Sequence, residues 1–260
     1  MNTKPIGIID SGIGGLSVAS VLINKLPKES IIYLADSKNC PYGQKSPEEI
    51  YKLTTKMVDF LLSKNIKLLL VACNTITVTS IEKLRKNYPN LPIVGIVPVI
   101  KTAVNKSKSG KVGIFSTRVT AKSEYQKKLI KRYAKDKVVL NIGSDNLVEN
   151  IENLDFVSID KVLEKELKPF IDENIDVLAL GCSHFPLIYQ RIKKRLPNVL
   201  ILNSAGAVGR QVEKILNNNK ILSNSNKASY NFYTTGNLIA IEFYVNKLTK
   251  PDKIEKISLL

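Results

Sequence analysis

Two stretches of the chain set a cysteine where it can react. In Val177-Leu178-Ala179-Leu180-Gly181-Cys182-Ser183-His184 an apolar run ends in a small residue, a cysteine and two polar residues, just before a helical pattern. Leu69-Leu70-Val71-Ala72-Cys73-Asn74-Thr75 repeats the construction. A cysteine on a strand-to-helix turn lies above the carboxyl edge of a sheet, next to free backbone N–H groups, and those surroundings favour thiolate over thiol. Two matched thiols in one chain need a joint explanation.

His184 is the sole histidine, which narrows the chemistry. A Cys–His hydrolase or amidotransferase would use that imidazole to activate one thiol and leave the other without a role. Zinc held by Cys73, Cys182 and His184 lacks an evident fourth ligand, and C-x-H on a turn is not a usual zinc spacing. An imidazole two residues after a turn cysteine is better explained as its electrostatic partner. Cys40 lies in a loop with no counterpart elsewhere in the chain and is read as a bystander thiol. The three cysteines form no CxxC pair, so reduced thiols rather than structural disulfides are expected.

The turn Asp10-Ser11-Gly12-Ile13-Gly14-Gly15 follows a strand and opens a helix, with Asp36 ending the next strand, so a dinucleotide loop has to be weighed. The pattern is G-x-G-G rather than G-x-G-x-x-G, and Asp10 sets a carboxylate where a pyrophosphate would approach. An amine ligand suits it better. The glycines serve equally for a tight turn and close helix packing.

These turns are positioned by short apolar runs alternating with helical patterns, the mark of an α/β protein with mostly parallel sheets. Strands are expected at Ile6–Ile9, Ser30–Leu34, Leu68–Ala72, Ile93–Val97, Val112–Phe115, Val138–Ile142, Val177–Leu180 and Val199–Leu202. The clearest helices are expected at Pro47–Lys64, Val78–Asn87, Ala121–Ala134, Ile159–Asn174, Leu187–Leu196 and Ala205–Asn218. Sliding the chain about 107 positions along itself aligns Gly7-Ile8-Ile9-Asp10-Ser11 with Gly113-Ile114-Phe115-Ser116-Thr117, and the Cys73 turn with the Cys182 turn. Two pseudo-symmetric, doubly wound α/β lobes follow, with the active site in the cleft between them. Residues 1–97 with 207–260 make the Cys73 lobe and 98–206 the Cys182 lobe. Crossings fall near Val97-Pro98 and Ser204-Ala205-Gly206, and the tail, with a strand near Ala228–Tyr233 and a helix from Asn237, is expected to pack back on the first lobe.

With 260 residues, 44% of them hydrophobic, the chain can bury a large core. No signal peptide and no apolar run of membrane-span length is apparent, so a cytoplasmic protein is expected. The net charge of +16 is spread over several helices, which argues against one nucleic-acid surface and for attraction of small anions such as a dicarboxylate amino acid.

Taken in order, Asp10-Ser11-Gly12 with Gly14-Gly15-Leu16-Ser17, Pro41-Tyr42-Gly43, Ala72-Cys73-Asn74-Thr75, Thr117 with Thr120, and Leu180 through Pro186 resemble the motifs of glutamate racemase, over nearly the whole chain. The resemblance implies a racemase that needs no cofactor and no metal. Two thiols would act as opposed bases on Cα, Cys73 toward D-glutamate and Cys182 toward L-glutamate, with Asp10 assisting Cys73 and His184 assisting Cys182. It also implies substrate contacts from Asp10, Ser11, Tyr42, Gly43, Asn74, Thr75, Thr117, Thr120, Ser183 and His184, and a place in supplying D-glutamate for peptidoglycan. Ser144 through Glu152 only loosely resembles the family's Leu-Val…Glu stretch, so Glu152 is the weakest member of the set. Ser183 stands where the family usually has Thr, and Phe185 where it often has Tyr. Within the wider aspartate/glutamate racemase superfamily, the histidine after the second cysteine is similar to the glutamate branch; aspartate is the alternative substrate. A basic module binding nucleic acid or a partner such as DNA gyrase is the alternative of another class, without a motif in its support, and the resemblance leaves room for a homodimer.

Overall fold

Buried β-branched runs form two separate parallel sheets in the structure, a computed structural model that describes residues 3–97, 99–144 and 146–259. The first sheet has the order β10-β9-β2-β1-β3-β4, from β1 (Ile6–Asp10), β2 (Ile31–Ala35), β3 (Leu68–Val71), β4 (Ile93–Gly95), β9 (Tyr230–Thr234) and β10 (Lys253–Lys256). The second has the order β6-β5-β7-β8, from β5 (Lys111–Ser116), β6 (Val138–Gly143), β7 (Val177–Gly181) and β8 (Leu200–Leu202). The run β2-β1-β3-β4 is matched by β6-β5-β7-β8, so the internal repeat of the sequence is a repeat of topology. Every strand of β1, β2, β3 and β7 is buried along its whole length, which is why these runs carry no polar alternation. The tail does return to the first sheet, β9 pairing with β2 and β10 with β9.

The helices are α1 (Leu16–Lys25), α2 (Pro47–Ser63), α3 (Asn74–Asn87), α4 (Ile100–Lys106), α5 (Arg118–Lys122), α6 (Glu124–Tyr133), α7 (Asn146–Glu152), α8 (Phe156–Asp172), α9 (Tyr189–Arg195), α10 (Ala205–Asn218) and α11 (Leu238–Leu248). In α2, Ser46 accepts the Glu49 N–H as N-cap, Pro47 opens the helix, and Glu48 and Glu49 face its positive end. Its buried face runs Ile50, Thr54, Met57, Val58, Leu61, at helical spacing.

Three expectations are corrected. The helix expected over Ala121–Ala134 is two, because Ser123 leaves helical geometry and caps α6 by accepting the Gln126 N–H. The helix expected from Val78 begins at Asn74, directly behind Cys73. The threonines there stay helical by bonding back, Thr77 to the Cys73 carbonyl and Thr79 to that of Thr75. The segment expected as one helix from Leu187 starts with a 3-10 turn, Phe185–Ile188, before α9.

One apolar cluster runs through both halves, joining Ile8, Leu22 and Leu70 to Phe115, Phe170 and Leu178. Phe115 sits at its centre, 4.5 Å from the Phe185 ring and 5.8 Å from the Phe170 ring between centroids. The halves therefore meet on a shared core below the carboxyl ends of β1, β3, β5 and β7.

Candidate active site

Each of those four strands ends in a polar turn. β1 delivers Asp10 and Ser11, β3 delivers Cys73 as N-cap residue of α3, β5 delivers Thr117 as N-cap of α5, and β7 delivers Cys182, Ser183 and His184. In open α/β sheets this edge is where ligands bind. A small cavity of about 10 Å³, room for about one water, lies between the turns. Both thiols line it, with Ser11, Tyr42, Gly43, Asn74, Thr75 and Thr117, and with Ser183 and His184 closing the far side. Asp10, Thr120 and Glu152 stand behind this lining. A larger hollow of about 800 Å³ lies against α11 and β10 and includes neither thiol, so volume alone does not mark the site.

Cys73 is buried, and its Sγ is 3.5 Å from the Ser11 hydroxyl. Burial pushes this thiol up to about 12, and the Asp10 carboxylate adds to the rise. Ser11 and the Ile76 N–H pull the other way but lose. The sequence expectation of a thiolate-favouring turn is thus overturned for Cys73: the helix-end amide is present, and desolvation outweighs it. Asp10 is fully buried, accepting from the Gly12 N–H at 2.9 Å and from the Ser183 hydroxyl at 2.9 Å. Burial raises its carboxyl to about 6 against the pull of His184.

On the opposite side, Cys182 Sγ is 3.9 Å from His184 Nδ1, and His184 Nε2 is 2.5 Å from Glu152 Oε1. Burial opposes charge on this imidazole, yet its bonds to Cys182, Cys40 and Glu152 hold its pKa well above the usual histidine value. These bonds favour the charged form of the imidazole, whose Nδ1 faces Cys182. Glu152 also accepts from the Ile13 N–H at 2.7 Å and from the Ser37 hydroxyl at 2.8 Å. The residue that the sequence supports least thus ties α7 to the turns after β1, β2 and β7.

Three threonines close the cleft. Thr75 Oγ1 is 3.0 Å from Thr117 Oγ1 and 3.3 Å from Thr120 Oγ1, across the two halves. The Tyr42 hydroxyl is spent on Asp36 at 2.6 Å, so only the rest of this residue faces the cavity. Asn74 Nδ2 is buried without a hydrogen-bond partner among the described residues. Such an orphan donor is costly unless something else fills it. Sequence reasoning passed over Cys40, whose sulfur lies within 4.8 Å of the ligating atoms of Glu152 and His184. It also passed over Ser17, which bonds the Ser183 carbonyl at 3.0 Å, and Ser37. The signal for Ser37 was present in its place one residue after Asp36.

The glycines of the β1 turn are explained by this junction rather than by a phosphate. A Cβ on Gly12 would lie 2.0 Å from Glu152 Oε1, and one on Gly14 would lie 2.4 Å from His184 Nδ1. A side chain at Gly14 would crowd both the ring and the backbone N–H of His184, and one at Gly12 would push the Glu152 carboxylate aside.

Two thiols thus line one cavity, Cys73 beside Ser11 and under the influence of Asp10, Cys182 beside His184, and comparison with known proteins supplies the family. Residues 6–212 match the family model described as Asp/Glu/Hydantoin racemase. The chain is 39% identical to the glutamate racemase of Stutzerimonas stutzeri over 235 residues, covering 89% of each chain. Among solved structures, a glutamate racemase isoform of Bacillus anthracis superposes with a TM-score of 0.88 at 33% identity, covering 100% of this chain and 99% of that one. The glutamate racemase of Francisella tularensis, solved in complex with D-glutamate, gives 0.84 at 29% identity, covering 100% and 99%. The chain belongs to the Asp/Glu/Hydantoin racemase family. Within that family it is an isomerase of the amino-acid racemase class, and the proteins it resembles are glutamate racemases.

Proposed function

We propose that the chain interconverts L- and D-glutamate without a cofactor, Cys73 removing the Cα proton of D-glutamate and Cys182 that of L-glutamate. The carrying observation is the pair of thiols on equivalent turns of the two sheets, lining one cavity with separate partners. A proton leaves one face of Cα to one sulfur while the other sulfur returns a proton to the opposite face. His184 offsets charge on Cys182. Cys73, raised by burial and by Asp10, is a strong base once ionised, and the ammonium of an arriving substrate supplies the positive charge that the site lacks on this side. Positioned acid–base groups contribute on the order of 10²–10⁴-fold, and fixed dipoles around the carbanion supply much of the rest.

Neutral donors suit the carboxylates. The residues lining the cavity include no Lys or Arg. Asn74 offers its orphan amide, while Ser11, Thr75, Thr117, Thr120, Ser183 and the Tyr42–Gly43 backbone surround the remainder. A cavity holding about one water excludes glutamate, so residues 1–97 with 207–260 and residues 98–206 must part to admit it. Hinges fall near Val97 and Ser204-Ala205-Gly206; Pro98 lies outside the described residues. As the resemblance implies, the D-glutamate would serve peptidoglycan synthesis in the cytoplasm; among the described residues no helix is long and apolar enough to cross a membrane. Loss of optical rotation from L-glutamate without added cofactor, with little or none from L-aspartate, is the expected result. Turnover of aspartate alone would move the assignment to the other branch, and salt-dependent DNA binding with no turnover of either would favour the binding module.

A further inference from the structure

Cys40, Glu152 and His184 form a cluster that the proton transfer does not fully use. We propose that these three side chains make an inhibitory binding site for a zinc-type divalent transition-metal ion. One thiol, one carboxylate and one imidazole are the donor set such ions take. Their ligating atoms all lie within 4.8 Å of one another, and the closest pair is 2.5 Å apart. Donors about 2.0–2.3 Å from a tetrahedral zinc stand roughly 3.5 Å from each other, a spacing between those limits. Side-chain rotations of about an ångström reach it.

The surroundings hold the donors in place. The second oxygen of Glu152 accepts from Ser37 Oγ, and the Ile13 N–H donates to the first, the outer contacts that orient ligands at metal sites. Binding forms bonds from the metal to sulfur, nitrogen and oxygen and sends the Cys40 thiol proton and one imidazolium proton to solvent. A coordinated thiol is deprotonated outright, so a thiol that burial keeps protonated in the free protein remains a competent ligand. The bound ion replaces the Nε2 proton, pins the imidazole whose Nδ1 faces Cys182, and ties the loop after β2 to α7 and the β7 turn. These effects stop racemisation.

The test titrates the whole chain with Co²⁺ as spectroscopic probe and Zn²⁺ as inhibitor, in the wild type and in Cys40→Ala, Cys40→Ser and Cys182→Ala. One Co²⁺ per chain with a sulfur-to-cobalt charge-transfer band is expected in the wild type and in Cys182→Ala. Neither Cys40 variant should show the band, and each, measured against its own metal-free turnover, should need more than about tenfold more Zn²⁺ for half-inhibition. A band that survives in Cys40→Ala and vanishes in Cys182→Ala would place the metal on the reacting thiols and overturn the proposal. So would absence of any band in the wild type at submillimolar Co²⁺, or unchanged Zn²⁺ inhibition in the Cys40 variants.

Discussion

Replacing Glu152 by Gln removes one of the influences, beside the bonds to Cys182 and Cys40, that favour a protonated His184. Oε1 receives both the Ile13 N–H and His184, and Oε2 receives only the Ser37 hydroxyl. An amide can keep its oxygen at the first position and turn its NH₂ toward Ser37, whose hydroxyl can accept. The contacts survive and the negative charge does not. Hydrogen bonds to charged groups contribute about 1.5–3 kcal/mol, so kcat should fall about 10- to 150-fold. The pH dependence should change with it. In the wild type His184 stays protonated well above the ordinary value of 6.5. In Glu152→Gln the charge behind two of the causes that raise it is lost while burial still opposes the charged imidazole, so the proton should leave at lower pH and kcat should decline at lower pH than in the wild type. Circular dichroism at Cα, followed from either enantiomer between pH 6 and 9 (roughly the window around that ordinary value), measures both. The equilibrium constant of a racemase is one, so kcat/KM must fall equally in both directions. A folded variant with wild-type kcat and an unchanged profile would refute the role given to Glu152.

Gly14→Ala puts a methyl 2.4 Å from His184 Nδ1, so the imidazole must retreat by about an ångström, and a displacement of that size can cost roughly 10²-fold in turnover; near-normal kcat in a folded protein would refute the packing account. For Asp10 the folded pKa, about 6, lies above the ordinary 3.8. Its contribution to stability is therefore complete below pH 3.8 and lost as pH rises through about 6, at most about 3 kcal/mol from 2.2 pKa units. Asp10→Asn should flatten the decline of urea stability over that interval, and an identical slope would refute it. Thr75→Val removes the hydroxyl shared with Thr117 and Thr120 and should cost about 1–3 kcal/mol in urea unfolding. A change below about 0.5 kcal/mol, the ordinary effect of a surface substitution, would show that the threonine contact does not hold the halves together.

The parts of the fold that could be read were those with dense local signals. The strands around both cysteines are unbroken apolar runs, so the paired turns and the two-sheet repeat were visible at once. β10 was not, because Lys253–Lys256 is a short edge strand, exposed at both ends, with no apolar run. Ser123 broke a helix that continuous periodicity suggested, since its capping bond is a property of one hydroxyl. At the site, His184 and Cys182 are two residues apart and could be linked from spacing. Glu152 reaches Ile13 across 139 positions, and nothing local announces such a contact. Cys40 was set aside for lacking a counterpart in the repeat, yet a loop without a counterpart can still fold over the second half. The thiolate expectation for Cys73 failed for a different reason. Chain position shows the helix end but not the depth of burial, and burial decided the outcome.

The two-base claim is tested most directly by racemisation of L-glutamate in deuterated water, with isotope at Cα followed separately in each enantiomer from the first turnovers. Opposed thiols predict that newly formed D-glutamate carries solvent deuterium while unreacted L-glutamate keeps protium, and that the mirror pattern holds from D-glutamate. Cys73→Ser and Cys182→Ser should each abolish full turnover. Protium carried over into the product, or ordinary two-way turnover by either serine variant, would mean that a single base serves both faces and would contradict the account.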